Sequence, residues 1–149
     1  MSISLSNDVI KEIAQNLEAG MQSWYHIPTG DILSAPDTMK HYVEDELWED
    51  AFSEIEAKMN ECIAFKCFET FEEFRIMESF AATEVRDEKL SAMLINALSN
   101  RKPFRHFKNI IDNSDYRQEW FSFRLQWYIN YVQQEVEFYN DSNKIDDEK

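Results

Sequence analysis

Glycine is nearly absent: the 149-residue chain has two, Gly20 and Gly30. Phosphate-cradling loops and the dinucleotide fingerprint need several glycines at fixed spacing, and the nucleophile elbow needs one on each side of its serine, so all three are excluded. Cysteine is as scarce. Cys62 and Cys67 are too few for a disulfide scaffold, and in an apolar stretch they read as buried, reduced thiols of a reducing compartment. The three histidines, His26, His41 and His106, lie far apart. None follows a glutamate by three residues and no two are four apart, so neither the di-iron helical pair nor the zinc-helix motif is present. His41 with Asp45 could in principle place two ligands on one helix face, but a solvated charge pair is the expected reading. No cofactor or metal is called for.

Long apolar runs are also missing. No stretch of 18 apolar residues offers a membrane span, and Met1–Ile13 carries Asp8 and Glu12 where a signal peptide has a basic start and an apolar run. The expectation is a cytoplasmic chain without membrane contact. Positive charge is in deficit too: 29 acidic residues against 15 basic give a net charge of −14. That disfavours general nucleic-acid or anionic-membrane binding and favours solubility.

Aromatic residues are plentiful at 14%. Phe71, Phe74, Phe80, Phe104, Phe107, Trp120 and Trp127 can build a core without a large sheet. The length fits one domain, expected over residues 1–139, with a polar, frayed tail over 140–149.

The first helix is expected over Asp8–Ala19, capped by Ser6 or Asn7, with Ile10, Ile13, Ala14 and Leu17 on one face. Gly20 stops it. Met21–Ile27 and Ile32–Ala35 read as a hairpin around Pro28-Thr29-Gly30-Asp31, ended by Pro36. A second helix over Val43–Asn60 places Trp48, Phe52, Ile55 and Met59 on one stripe. Cys62–Phe68 reads as a third strand. Thr70-Phe71-Glu72-Glu73 is expected to be a capping box opening a helix that carries Phe71, Phe74, Met77, Phe80 and Ala81. Asp87 caps the next, striped by Leu90, Met93, Leu94, Ala97 and Leu98. Pro103 opens a short helix to Ile111. Asp115–Gln118 resembles another capping box, and the last helix is expected to reach Tyr139. That helix is apolar nearly all round, which calls for several neighbours or a partner chain. The fold class is therefore α+β and mostly helical: a small antiparallel sheet packed on about six helices.

Glu44, Asp45, Glu46, Glu49, Asp50, Glu54 and Glu56 crowd the second helix. Off its apolar stripe they read as a wet, ionised face, not as a general-acid pair. No spacing joins either cysteine to a histidine as a nucleophilic pair. One segment departs from the acidic background. Between Glu88 and Asp112 there is no acid, while Lys89, Arg101, Lys102, Arg105 and Lys108 are basic. Arg101 and Lys102 fall at a helix start, where the macrodipole disfavours cations. The economical reading is internal neutralisation by the acids of the second helix or the C-terminus. The functional readings are a site for a phosphate or carboxylate, or nucleic-acid binding. Arg124, with Trp120 and Tyr128 one turn to either side, is a further candidate for stacking on rings.

Three stretches carry a resemblance. Tyr25–Ile32 (YHIPTGDI), Phe74–Phe80 (FRIMESF) and above all Ala97–Arg124 (ALSNRKPFRHFKNIIDNSDYRQEWFSFR) are similar, in order and spacing, to uncharacterised protein family 0158. Where that family commonly has Gly-Lys-Gly-Ala-Phe, this chain has Asn100-Arg101-Lys102-Pro103-Phe104. The resemblance implies a shared fold unit and a bacterial source, and raises Phe104, Phe107, Lys108, Trp120 and Arg124 as positions of interest. It implies no activity. The expected function is a non-enzymatic binding or regulatory module in which Arg101, Lys102, Arg105 and Lys108, with Trp120 and Arg124, contact an acidic protein or a phosphate group. Its alternatives are a nucleic-acid-associated protein or an enzyme whose site the sequence does not expose. A protein partner or self-association is the expected mode of contact.

Overall fold

The computed structural model describes residues 2–37 and 45–147. These form six helices and a three-stranded sheet, in two compact units. The first unit is Met1–Cys67 with Tyr128–Lys149; the second is Phe68–Trp127.

In the first unit, helix α1 (Asn7–Glu18) starts where the Ser6 hydroxyl accepts the Val9 N–H at 3.2 Å. It buries Ile10, Ile13, Ala14 and Leu17, the face its spacing predicts, and packs on strand β1. Gly20 follows at φ 86°, a left-handed conformation costly to any residue with a Cβ. Strands β1 (Met21–His26) and β2 (Ile32–Pro36) form the hairpin, and β3 (Cys62–Phe65) pairs antiparallel on the other edge of β1. The order β2-β1-β3 makes β1 central.

The hairpin turn is held by its own side chains. The Gly30 N–H donates to the His26 carbonyl at 2.7 Å, with Gly30 at φ 77°. A Cβ at Gly30 would meet only the Tyr25 hydroxyl, at 3.6 Å, so the backbone angle, not space, requires glycine. His26 Nδ1 shares a 2.7 Å hydrogen bond with the Thr29 hydroxyl, and Nε2 lies 3.5 Å from the Glu61 carboxylate. This histidine is a buried fastener of the turn.

Helix α2 is described from Asp45 to Lys58; its expected beginning at Val43, with Glu44 and His41, lies outside the described residues. It ends earlier than expected, in a 3-10 turn over Met59–Glu61, so Met59 leaves the stripe and is half exposed while Ile55 stays buried. The third strand is likewise shorter than expected, stopping at Phe65. Both cysteines are half-buried, not fully buried.

In the second unit, helices α3 (Thr70–Thr83), α4 (Glu88–Leu98) and α5 (Pro103–Asp112) precede the first turns of α6 (Arg117–Asp147). The capping box of α3 lies one residue earlier than expected, with Glu69 as cap and Glu72 as its third residue; the Glu69 N–H donates to Glu72 Oε1 at 3.3 Å. Glu69 and Glu72 are also three apart, and a carboxylate at the cap satisfies the free N–H groups while opposing the positive helix end. The helix buries Ile76, Phe80 and Ala81, while Phe71 is 67% exposed. Asp87 caps α4 as expected, accepting from the Lys89 and Leu90 N–H groups. The α4 stripe is narrower than expected, since Met93 is half exposed.

Helix α6 starts with the Tyr116 carbonyl accepting from the Trp120 N–H at 2.8 Å, one residue later than an Asp115 cap. It runs on to Asp147, past the expected end at Tyr139. Within the first unit, Asn140 of this extension brackets Ile3, accepting its N–H at 2.7 Å and donating to its carbonyl at 2.8 Å.

Phe80 is fully buried between Trp120 and Phe123, each with ring centroids 5.3 Å away. Phe80→Ala is expected to destabilise the chain by about 3–5 kcal/mol in urea titration. Phe71→Ala, on the same helix but exposed, is expected to stay within about 0.5 kcal/mol of the parent chain.

A basic helix beside an aromatic cleft

Helix α5 is sharply two-faced. Phe107 and Ile111 are fully buried, whereas Arg105, His106 and Lys108 are exposed. Its buried face is fixed by Trp120, whose ring meets Phe107 edge-on at 5.0 Å and Phe80 at 5.3 Å. Through Phe123 the ring contacts continue to Trp127. With Phe107 clamped, the opposite side of α5 has to face solvent.

The turn leading into α5 carries a backbone departure. Lys102 is the cap residue, at φ 52° and ψ 55°, and among the described residues it is the non-glycine with positive φ. A lysine in this left-handed conformation costs about 1–2 kcal/mol. This is a conformation that glycine adopts without that cost. The Lys102 carbonyl accepts from the His106 N–H at 3.2 Å, beginning the helix.

A cleft of about 280 Å³ opens between α3, α5 and the start of α6. Met77, Phe104, Phe107, Trp120 and Phe121 form its apolar walls, and Lys108, Asp112 and Arg124 its charged rim. Two rim groups are occupied. Arg124 Nη2 donates to Glu73 Oε1 at 3.2 Å, and the Arg117 Nε lies 3.4 Å from Asp112 Oδ1. Lys108 makes no ion pair within 4 Å among the described residues, and neither do Arg101, Lys102 or Arg105. The internal neutralisation expected for these cations is not seen there.

Of the candidate residues, Lys108, Trp120 and Arg124 therefore converge on one cleft, and Arg105 lies one helical turn before Lys108. Arg101 and Lys102 precede the helix and do not line the cleft. Trp120 is a wall and core residue, 6% exposed, not a surface contact. Sequence reasoning missed Met77, Asp112 and Phe121 as cleft residues. For Phe121 a signal existed: Arg117 lies four residues before it, and its guanidinium sits 5.1 Å from the ring centroid.

A larger cleft of about 500 Å³ lies against another face of α6, lined by Phe80, Phe123, Glu84, Glu119 and the amides of Gln118 and Gln126. Glu119 there holds Arg86 at 3.2 Å. Neither cleft gathers a histidine or a cysteine. Among the described residues no three His, Cys, Asp or Glu side chains cluster as metal ligands, and no helix is long and apolar enough to cross a membrane. Cys62 donates its S–H to the Lys58 carbonyl at 3.2 Å. Burial pushes its thiol pKa up, Glu61 adds to this and Lys58 opposes it.

The fold is thus a mostly helical α+β protein with a basic helix beside an aromatic cleft. The chain belongs to the Uncharacterised protein family (UPF0158), whose model matches residues 38–143, more than two-thirds of its length. No curated protein and no solved structure matches it.

Lys102→Gly is expected to stabilise the chain by about 0.5–1 kcal/mol, because relief of the left-handed strain exceeds the added flexibility of the unfolded chain. Lys102→Ala keeps the strain and should give no such gain; urea midpoints compare the two. Because the folded Cys62 thiol ionises at higher pH than a free thiol, its alkylation by iodoacetamide at mildly alkaline pH should lag that of the unfolded chain, read by mass spectrometry.

Proposed function

We propose that the protein is a binding module that captures an acidic segment of a protein through α5, with one apolar side chain of that segment seated in the adjoining cleft. The observation that carries this reading is Lys108. It stands on the rim of an aromatic cleft without an ion-pair partner among the described residues, with Arg105 one turn away on the same exposed face. Interfaces concentrate their energy in a few anchors that fill pockets, ringed by polar groups that exclude water. At about 280 Å³ the aromatic-walled cleft falls just under the range of about 300 to 1,000 Å³ for small-molecule sites, a size that suits one such anchor. The cations around it supply orientation and a faster encounter.

A protein partner is preferred to nucleic acid on charge. Four cations on one loop and helix meet a chain of net charge −14, and a duplex would bring a large negative surface against the rest of it. Binding of a fluorescent peptide rich in glutamate, with a single leucine, tests the reading. The chain is expected to bind it, Arg105→Glu with Lys108→Glu to lose binding, and replacement of the peptide's leucine by serine to weaken it by about tenfold. Thermal midpoints should stay close to the parent value, because the substituted cations are exposed and make no ion pair among the described residues. An unchanged affinity in the charge-reversed chain would refute the site.

A further inference from the structure

Resting on that reading, we propose that the acidic segment belongs to a second copy of this chain: helix α2 of one copy docks on α5 of another, with Leu47 entering the cleft. Leu47 is 74% exposed, on a helix whose other exposed residues are acidic except for Ser53 and Ala57. Asp50 and Glu54 follow it by three and seven residues, so a leucine and two carboxylates share one stripe, with Glu46 beside it one turn before Asp50. Glu46 and Asp50 make no ion pair within 4 Å among the described residues, while Glu54 holds Lys58 at 2.9 Å. The stripe is thus an apolar anchor flanked by available carboxylates. The cleft offers the converse, an apolar hollow with Lys108 on its rim and Arg105 exposed one turn earlier on the same helix.

Each copy carries both halves, so the contact is heterologous: the acidic helix of one copy fills the cleft of another. Two chains of charge −14 also repel each other over distance. At physiological ionic strength fields are screened beyond about 8 Å, whereas ion pairs in contact are screened much less. Association should therefore strengthen from low to physiological salt and weaken again at high salt. A simple ion-pair contact between oppositely charged proteins would only weaken.

Sedimentation velocity of the full chain over micromolar concentrations tests this. The weight-average mass is expected to rise with concentration above the 17.8 kDa of one chain. Leu47→Lys with Asp50→Lys removes the anchor half, and Arg105→Glu with Lys108→Glu removes the cleft half. Each variant alone should lose association by at least about tenfold. An equimolar mixture of the two should form a 1:1 dimer, because each retains the half the other lacks. Circular dichroism checks that both fold, and Leu47→Ser and Lys108→Gln serve in place of a pair that does not. A parent chain that stays monomeric, or a mixture that does not pair, overturns the proposal. If the monomeric parent still binds the acidic peptide, the partner is a different protein and the binding-module reading stands. If it binds neither, both readings fall.

Discussion

Trp120 is held edge-on between two phenylalanines, and the candidate site follows from that clamp. Phe107 comes from α5, Phe80 from α3, and both rings lie within 5.3 Å of the indole. Edge-to-face pairs of this kind add about 0.5–1.5 kcal/mol each beyond the area they bury. They also fix rotation. With Phe107 locked inward, the 3.6-residue repeat puts Arg105 on the opposite face and Lys108 and Phe104 on the flank that borders the cleft. The site's hollow and its charge therefore have one cause: a small helix pinned by a single ring.

Charge is arranged in the same spirit. A chain with 29 acids has ample means to neutralise four cations internally, and yet Arg124 and Arg117 take carboxylates while the cations of 101–108 take none within 4 Å among the described residues. Exposed pairs are worth only about 0–1 kcal/mol, so nothing in stability compels such pairing. Arg124 is different. Its ion pair with Glu73 is half-buried, joins α6 to α3 at the cleft, and so shapes the rim more than it offers a free charge.

Much of the fold was legible because its signals are local. The α1 stripe, the Ser6 and Asp87 caps, both glycine turns, the hairpin and the third strand each follow from residues within one element. What was misread depends on competition between neighbours. Glu69 and Glu72 displace Thr70 and Glu73 as the cap of α3, and the packing of the helix, not its own repeat, puts Ile76 inside and Phe71 out. The end of α6 was missed because Asn140–Asp147 is polar; helicity there has Asn140 as a bracket for Ile3, a contact 137 residues apart in sequence. For the site, spacing and the family resemblance singled out Lys108, Trp120 and Arg124. That Trp120 is a wall, that Arg124 is already paired, and that Met77 completes the hollow are facts of packing between helices, which no periodicity along one helix contains.

Lys102 joins these threads. Two costs meet at one residue: the left-handed backbone, about 1–2 kcal/mol, and a cation at a positive helix end, about 0.3–1 kcal/mol. Glycine would remove both without altering the loop. Strain of this kind clusters at sites where something outside the fold is contacted. The strained residue lies directly before the helix that carries Arg105 and Lys108, outside the cleft itself.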